Sequence, residues 1–226
     1  FKNITFKKNN EIHADQLTIN NDQGGLDTRL NDVAISNVNT GEKTGNIIID
    51  GLKWADGNIT FKEKVASQTS ARKTSLLFNN VTGGNTRFNF INKNLHFNAN
   101  ITTVQIESLT KPADKPIEIN NFNLNGKGIT FSNATTKITG DNFALSDNAQ
   151  RLENMHIEKS SYTGTLVMDI PSVQLSNGSI NQMASKGINL KNILLTSPKI
   201  KYKCQNNVLL KKADTTVARA LKIDHL

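Results

Sequence analysis

The sequence holds few of the residues that cross-link a chain or fill a deep core. Its single cysteine, Cys204, excludes an internal disulfide. Cys204 shares its alternation with Ile200 and Tyr202, so we expect it on the apolar side of a strand, as an inert thiol. Hydrophobic residues make up 36% and aromatic residues 6% of the 226 residues, which is too little to cover both faces of a large sheet. A sheet with one covered face needs less apolar surface.

Long hydrophobic runs are also missing. No stretch approaches the length of a membrane-crossing helix, and no signal peptide opens the chain. Because the first residue is Phe1 and not methionine, we expect the numbering to begin inside a longer precursor or after a processed leader.

The chain lacks the motifs of common catalytic and metal sites. No glycine-rich phosphate loop precedes a helix, no serine occupies a nucleophile elbow and no pair of carboxylates stands out. The four histidines, His13, His96, His156 and His225, have no second histidine or cysteine at metal-ligand spacing. We therefore expect no enzymatic activity, no metal and no cofactor.

Acidic residues are outnumbered by basic ones, and the net charge is +8. This charge suits an anionic partner such as phospholipid, lipopolysaccharide or nucleic acid, although the lysines are spread along the chain as on a solvated face. The densest group comprises Lys199, Lys201, Lys203, Lys211 and Lys212. Aromatic side chains are not interleaved with this group as a base-stacking surface requires, so we expect no nucleic-acid partner.

What the sequence does contain is an alternation of apolar and polar residues with a period of two, which is typical of strands. In residues 187–202 the alternation slips by one residue. The second apolar residue follows the first after two positions, and the third follows after three more, a pattern written h, h+2, h+5 with h as the first apolar residue. The same pattern begins at Val33, Ile47, Leu76, Val104, Ile117 and Ile188, with separations that cluster near multiples of about 14 residues. Such a repeat predicts successive antiparallel strands of about eight to ten residues joined by short turns.

Each slip requires either an extra residue in the strand or a turn. The slip sites are Ser36-Asn37, Asp50-Gly51, Asn79-Asn80, Glu107-Ser108, Asn120-Asn121 and Lys191-Asn192. Asp50-Gly51 is a strong hairpin signal, but hairpins at all six sites would leave strands of only about three to five residues. We therefore interpret most of the slips as bulges or bends. The turns are predicted at Gly24-Gly25, Gly83-Gly84, Gly126-Lys127-Gly128, Gly140-Asp141-Asn142 and Asn177-Gly178.

The predicted fold class is all-β: a long, curved, mainly antiparallel sheet of repeated strands that forms a groove or an open solenoid-like layer, with little helix. Residues 65–73 are interpreted as a loop, residues 215–223 as a short helix or an edge strand, and residues 221–226 as the start of a further strand. A proline-containing segment predicts a loop or a subdivision at 110–117. Because the alternation continues on both sides of it, we expect one repetitive domain over residues 1–226, as a fragment of a longer array.

In residues 187–202 an alternating stretch is followed by Ser197-Pro198 and then by a second alternating stretch. This order resembles the recurrent stretches of the AsmA-like family. Residues 1–6, 120–124 and 221–226 resemble shorter pieces of the same repeat. The resemblance implies a non-enzymatic protein of the Gram-negative cell envelope, periplasmic and anchored to the inner membrane by a preceding transmembrane helix. It also implies a curved sheet whose apolar inner face receives lipid acyl chains, and hence a role in lipid handling or in outer-membrane and envelope maintenance. The high asparagine and lysine content departs from the family.

The candidate lipid-contact surface is the apolar face predicted from the alternation, and the expected partners are phospholipid or another acyl-chain lipid and envelope proteins. Its predicted residues are Ile47, Ile49, Phe78, Phe88, Phe90, Ile106, Ile119, Phe122, Leu124, Phe131, Leu190, Ile193, Leu195, Ile200 and Tyr202.

A one-sided sheet covers its apolar face by curling, by packing on a second sheet or by binding a ligand. The sequence leaves both an acyl-chain groove and a dry sandwich core open. The alternative function is therefore that of a secreted or surface β-sandwich or solenoid, which would bind carbohydrate or protein through its Asn- and Lys-rich face.

Overall fold

The computed structural model describes residues 2–7, 10–21, 25–40, 46–62, 75–111, 118–176 and 192–204. These residues form twelve strands and no helix. The strands are β1 (Lys2–Lys7), β2 (Glu11–Asn21), β3 (Leu26–Thr40), β4 (Ile47–Lys62), β5 (Leu76–Asn92), β6 (Leu95–Lys111), β7 (Glu118–Ser132), β8 (Thr136–Ser146), β9 (Ala149–Ser161), β10 (Gly164–Ser176), β11 (Asn192–Thr196) and β12 (Lys199–Cys204). This part of the chain accordingly has no apolar helix of membrane-spanning length.

The strands form one open, curved sheet in which neighbours in sequence are neighbours in space. The order runs from β1 to β11, and β12 also pairs with β10. Every pairing is antiparallel except that of β4 with β5, which is parallel. The predicted all-β, mainly antiparallel sheet is thus confirmed, and the described strands do not divide into two packed sheets.

The last two strands behave as one. β11 and β12 bind the same edge of β10 in a single register, in which Leu195 pairs with Val173 and Ile200 pairs with Met168. The ladder is interrupted only at Ser197-Pro198, where proline has no N–H to donate. Together they form one interrupted edge strand.

The strands are longer than predicted, because the slips lie inside them. β3 to β7 are 15 to 17 residues long. The slips fall at Ser36-Asn37 in β3, Asp50-Gly51 in β4, Asn79-Asn80 in β5, Glu107-Ser108 in β6 and Asn120-Asn121 in β7. Lys191 lies outside the described residues, and Asn192 begins β11. None of these five sites is a turn, so Asp50-Gly51 is not a hairpin.

Three of the slips coincide with asparagines in the left-handed region of backbone conformation. The φ angle is 51° at Asn37, 50° at Asn80 and 48° at Asn121. Asparagine tolerates this region better than most residues that carry a side chain. A left-handed residue within a strand resets the alternation, so that Ile35 before Asn37 and Val38 after it face the same side.

Apart from Gly25, which lies in a turn, the left-handed residues form two lines that cross the sheet roughly at right angles to the strands. The first line contains Asn10, Asn37, Asn80 and Asn121, and the second contains Asn3, Asp32, Gly128, Asn154 and Ser197. Cross-strand pairing continues in the same register on both sides of a line, as between β3 and β4; the exception is the β6–β7 pair, where the register shifts. Neighbouring strands therefore switch together, and the apolar face stays continuous.

Several of the left-handed asparagines are held by the neighbouring strand. Their side-chain amides donate across the sheet from Asn3 to the Asp15 carboxylate at 2.6 Å, from Asn80 to the Asp50 carbonyl at 3.1 Å, from Asn121 to the Glu107 carboxylate and from Asn154 to the Asp141 carboxylate at 3.0 Å. The same residue type thus supplies both the backbone conformation and a bond that fixes it.

The prediction of a turn at Gly83-Gly84 is wrong, because both glycines lie inside β5. The indole of Trp54 on β4 lies across Gly83, and a Cβ at this position would be 2.1 Å from Trp54 Cζ2. The indole Nε1 donates to Thr86 Oγ1 at 2.8 Å in a buried bond. Gly83 is therefore required by the side chain that covers it and not by a turn.

The turns predicted at Gly126-Lys127-Gly128 and Gly140-Asp141-Asn142 are wrong for the same reason. Both segments lie inside strands, β7 and β8 respectively. A Cβ on Gly126 would be 2.2 Å from Phe143 Cζ, and one on Gly140 would be 2.7 Å from Met155 Sδ. In each case a large side chain of the adjacent strand occupies the space above the glycine.

The turns that the structure does describe are polar and short. They lie at Lys93-Asn94, Asn133-Ala134-Thr135, Asp147-Asn148 and Tyr162-Thr163. Asn133 Oδ1 accepts from the backbone N–H groups of Thr135 and Thr136, which closes its turn. Gly25 is also in a turn, as predicted, whereas Gly24 and the Asn177-Gly178 turn lie outside the described residues.

The core consists of the apolar face of the sheet itself. The main cluster of buried residues comes from the consecutive strands β2 to β6 and comprises Leu17, Leu30, Val33, Ile35, Trp54, Val81 and Val104. A second cluster on β9 and β10 comprises Met155, Ile170 and Val173. Each cluster is built by neighbouring strands, so the side chains bury one another as the sheet curves.

Some predicted segments lie outside the described residues, namely the loop at 65–73, residues 112–117 within the predicted loop at 110–117, and the elements at 215–223 and 221–226. On either side of the predicted loop at 110–117, β6 and β7 are paired neighbours in the sheet.

Candidate functional site

The structure places the predicted lipid-contact residues on one face of the sheet. Ile49, Phe78, Ile106 and Leu124 pack against the main core cluster, and Phe122 is itself buried. Ile47, Phe88, Phe90, Ile119 and Phe131 are half-buried, whereas Ile193, Leu195, Ile200 and Tyr202 lie at the exposed edge. Leu190 lies outside the described residues.

One row of apolar side chains crosses this face from β3 to β12 in direct register. Leu26 pairs with Phe61, Phe61 with Phe90, Phe90 with Phe97 and Phe97 with Phe131. The pairing continues through Ile138, Ile157 and Met168 to Ile200. We call these residues the phenylalanine row. Directly paired residues have Cβ atoms about 4.5 to 5.5 Å apart, so the row is a continuous apolar surface.

The phenylalanine row remains partly accessible. Phe61 is 38% exposed and Ile200 is 63% exposed, and the members between them are half-buried. Its aromatic part is supported by Phe88, whose ring centroid lies 5.9 Å from that of Phe61 and 6.0 Å from that of Phe97. The main core cluster, in contrast, is closed by its own packing. The row is therefore one part of the apolar face that a ligand can reach, as are Val38, which is 42% exposed, and the half-buried Ile49 and Phe78.

The sequence prediction missed most of this row. The omitted members are Leu26, Phe61, Phe97, Ile138, Ile157 and Met168. The search for h, h+2, h+5 triplets overlooked the regular alternation near the strand ends, such as Leu95, Phe97 and Ala99. Plain alternation would have identified these residues, but their mutual register depends on pairing that the sequence does not state.

The interrupted edge strand of β11 and β12 leaves its apolar residues uncovered. Ile193 is 57% exposed, Leu195 42%, Ile200 63% and Tyr202 51%. Cys204 follows Ile200 and Tyr202 in the alternation, as predicted, but its thiol is exposed. The apolar face thus reaches the edge of the sheet without a polar boundary.

A hydrogen-bonded His–Asp pair lies on the opposite, polar face near this edge. His156 Nδ1 on β9 lies 2.6 Å from Asp169 Oδ1 on β10. The hydrogen bond from His156 lowers the pKa of Asp169, and the charges of His156, Lys201 and Lys199 act in the same direction. Asp169 therefore stays ionised to lower pH than an ordinary aspartate.

The polar face also holds a cavity of about 680 Å³ formed across β7 to β11. Its polar lining residues include Asn123, Asn125, Arg151, Gln174 and Asn192. The Arg151 guanidinium is already paired with the Glu153 carboxylate at 2.8 Å. The remaining amides are neutral donors and acceptors, and the wall also contains the apolar side chains of Leu145, Leu175 and Leu194, which suits an uncharged ligand more than an anion.

Among the residues that the structure describes, no three His, Cys, Asp or Glu side chains are grouped as metal ligands. No protein-family model, curated protein or solved structure matches the chain. The fold and the two faces thus define an open, one-layer β-sheet protein with one accessible apolar surface and one polar surface.

Proposed function

We propose that the chain is a non-enzymatic β-groove segment that binds lipid acyl chains along the phenylalanine row. The observation that carries the proposal is the continuity of the row, which crosses the sheet in direct register and remains accessible. Proteins seldom leave a contiguous apolar surface exposed unless a partner or ligand covers it.

The chemistry of the row fits an acyl chain. Phe, Ile, Leu and Met side chains offer apolar contact and no hydrogen bonds. Covering one methylene group contributes up to about 0.8 kcal/mol, so an acyl chain that lies across several strands gains several kcal/mol. The row has no polar group that would select one short ligand over another, which favours lipids as a class.

The cellular role that we propose is lipid handling or envelope maintenance in the periplasm of a Gram-negative bacterium, with a membrane anchor that precedes this chain. The support for this role is the resemblance of residues 187–202 to the AsmA-like repeat, together with the exposed apolar surface.

Lipid extraction tests the proposal. The protein is purified from bacterial cells, its lipids are extracted and identified by mass spectrometry, and binding of a fluorescent fatty acid is measured. A Phe90→Ser/Phe97→Ser variant removes two adjacent members of the row and is expected to weaken binding by at least about tenfold. Tyr162→Ser is the matched control, because Tyr162 is 84% exposed in a turn away from the row. Absence of co-purified lipid and of saturable fatty-acid binding would refute the proposal.

The cavity on the polar face supports a second candidate function, the binding of carbohydrate. Its volume lies within the range of small-molecule sites, and its neutral amides suit sugar hydroxyls. A glycan array should then give saturable binding that Gln174→Ala weakens, while Phe90→Ser leaves it unchanged. Failure of every glycan to bind would exclude this candidate.

A further inference from the structure

We propose that the edge strand β12 binds the headgroup of an anionic phospholipid through Lys199, Lys201 and Lys203 while the acyl chains lie on the opposite face. The inference rests on the proposed acyl-chain function and adds to it the headgroup class and the place of binding. The feature that carries it is the two-sided character of this strand, with apolar residues on one face and ammonium groups on the other.

The apolar side of the strand is continuous with the phenylalanine row. Ile200 pairs with Met168 and is the last member of the row. Tyr202 is the next apolar residue on the same face, and its hydroxyl donates to Thr163 Oγ1 at 2.7 Å. An acyl chain on the row therefore reaches the edge of the sheet without crossing a polar residue.

The other side of the strand carries three exposed lysines. Lys199, Lys201 and Lys203 alternate with Ile200 and Tyr202, so their side chains project from the polar face. Alternate residues of a strand are about 6.6 Å apart, and a row of ammonium groups at this spacing can contact one headgroup or adjacent headgroups.

The three lysines form no salt bridge among the described residues, so their ammonium groups can contact an external partner. Lys199 lies directly opposite Asp169, and the charge of Lys201 also acts on that carboxylate, while Lys203 faces Thr165. The carboxylate of Asp169 is itself bonded to His156, which leaves it less able to neutralise a lysine.

The edge position allows one molecule to use both faces. An interior strand has a paired strand on each side, and these strands block the way from one face of the sheet to the other. Among the described residues, β12 is paired only with β10. A lipid whose chains lie against Ile200 can thus pass its headgroup around the backbone to the lysines. A phosphate with a net negative charge gains from this contact, and a zwitterionic headgroup gains less.

Vesicle co-sedimentation of the full chain tests the inference. The vesicles consist of phosphatidylcholine alone or of phosphatidylcholine mixed with phosphatidylglycerol. Since one lysine near an anionic surface contributes about fivefold in partitioning, the Lys199→Gln/Lys201→Gln/Lys203→Gln variant is expected to bind the mixed vesicles on the order of 100-fold more weakly. Its binding to phosphatidylcholine vesicles should be unchanged, and added salt should reduce wild-type binding to mixed vesicles.

The control is the Lys53→Gln/Lys127→Gln/Lys137→Gln variant. It removes the same charge from exposed lysines of β4, β7 and β8, and it should retain nearly all binding to mixed vesicles. An equal loss in both variants would show that only net charge matters and would overturn the inference. Circular dichroism establishes that both variants are folded.

The outcomes separate this inference from the proposed function. If lipid co-purifies and fatty acid binds, but the edge variant binds both vesicle types as the wild type does, the headgroup inference is wrong and the acyl-chain function stands. If no lipid or fatty acid binds, the proposed function fails first. Edge lysines also suppress strand-to-strand aggregation. Self-association of the edge variant on size exclusion with undiminished vesicle binding would assign them that role instead.

Discussion

Replacement of Gly83 by alanine should destabilise the protein through Trp54 and not through the backbone. The new Cβ would lie 2.1 Å from Trp54 Cζ2 and 2.2 Å from Cε2, which is closer than any carbon contact allows. The indole is rigid and buried, and its Nε1 is bonded to Thr86. The side chain must therefore leave its position or force β4 and β5 apart.

The expected change in the free energy of unfolding follows from the buried contacts that the Trp54 indole loses. Removal of a buried tryptophan side chain costs about 3 to 5 kcal/mol, and this is the upper limit for Gly83→Ala, because expulsion of the ring is always possible. The removal of glycine from a strand returns about 0.5 to 1 kcal/mol. We expect Gly83→Ala to lower the free energy of unfolding by about 2 to 4 kcal/mol and Trp54→Ala by about 3 to 5 kcal/mol.

A double-mutant cycle isolates the contact. In Trp54→Ala/Gly83→Ala the alanine at residue 83 meets no indole, so the double variant should be about as stable as Trp54→Ala alone, with a coupling energy of about 2 to 4 kcal/mol. Urea denaturation followed by far-UV circular dichroism measures all four proteins. Because the sequence contains one tryptophan, the fluorescence of the Gly83→Ala variant also reports directly whether the indole has become exposed.

Gly51→Ala is the control for a milder contact within the same sheet. Its Cβ would meet the small side chain of Ser36 at 3.1 to 3.2 Å, which a slight adjustment relieves. We expect a change below about 1 kcal/mol. Strict additivity in the cycle, or an equal loss at Gly51 and Gly83, would refute the view that Trp54 determines the glycine.

Three further expectations concern other parts of the sheet. Asn154→Ala should destabilise by about 1 to 2 kcal/mol, because it loses both the bond to Asp141 and the tolerance for positive φ; Asn154→Gly should recover the backbone part, and urea denaturation compares the two. The lowered pKa of Asp169 implies a contribution to the free energy of unfolding that is fully present above the ordinary pKa of 3.8 and is lost as the pH falls through the lower folded-state pKa. Asp169→Asn should therefore reduce the pH dependence of the free energy of unfolding in that acidic range. An unchanged pH dependence would contradict the role of the His156 bond. The exposed thiol of Cys204 should react with a maleimide without denaturant, and protection until unfolding would contradict an uncovered edge strand.

The sequence predicted that the chain is built from strands and placed five slips inside them, since both features depend on local alternation, but the predicted strands were too short. The slip at Asn37 could be predicted because asparagine is one of the residues other than glycine that most often adopt the left-handed conformation. The alignment of such residues into two lines was not predictable, because it depends on which strands pair and in which register.

The turns that were wrongly predicted at glycines have one physical cause in common. Gly83 and Gly126 look like turn residues in the sequence because glycine is frequent in turns. In the structure each is covered by a side chain that is distant in sequence, Trp54 or Phe143. The parallel pairing of β4 with β5 was missed for a related reason, since alternation specifies which face a residue occupies but not the direction of its neighbour.

The direction of the phenylalanine row determines how the capacity of the apolar face can change. Each paired strand adds about 4.8 Å to the length of the row, so the eight steps from Leu26 to Ile200 give roughly 38 Å along the sheet. One leaflet of a bilayer holds acyl chains about 15 Å deep, and the row therefore has room for two such chains end to end. Duplication of a strand pair would lengthen the row and leave its width unchanged, so the size of the bound molecule would follow the number of strands and not their length.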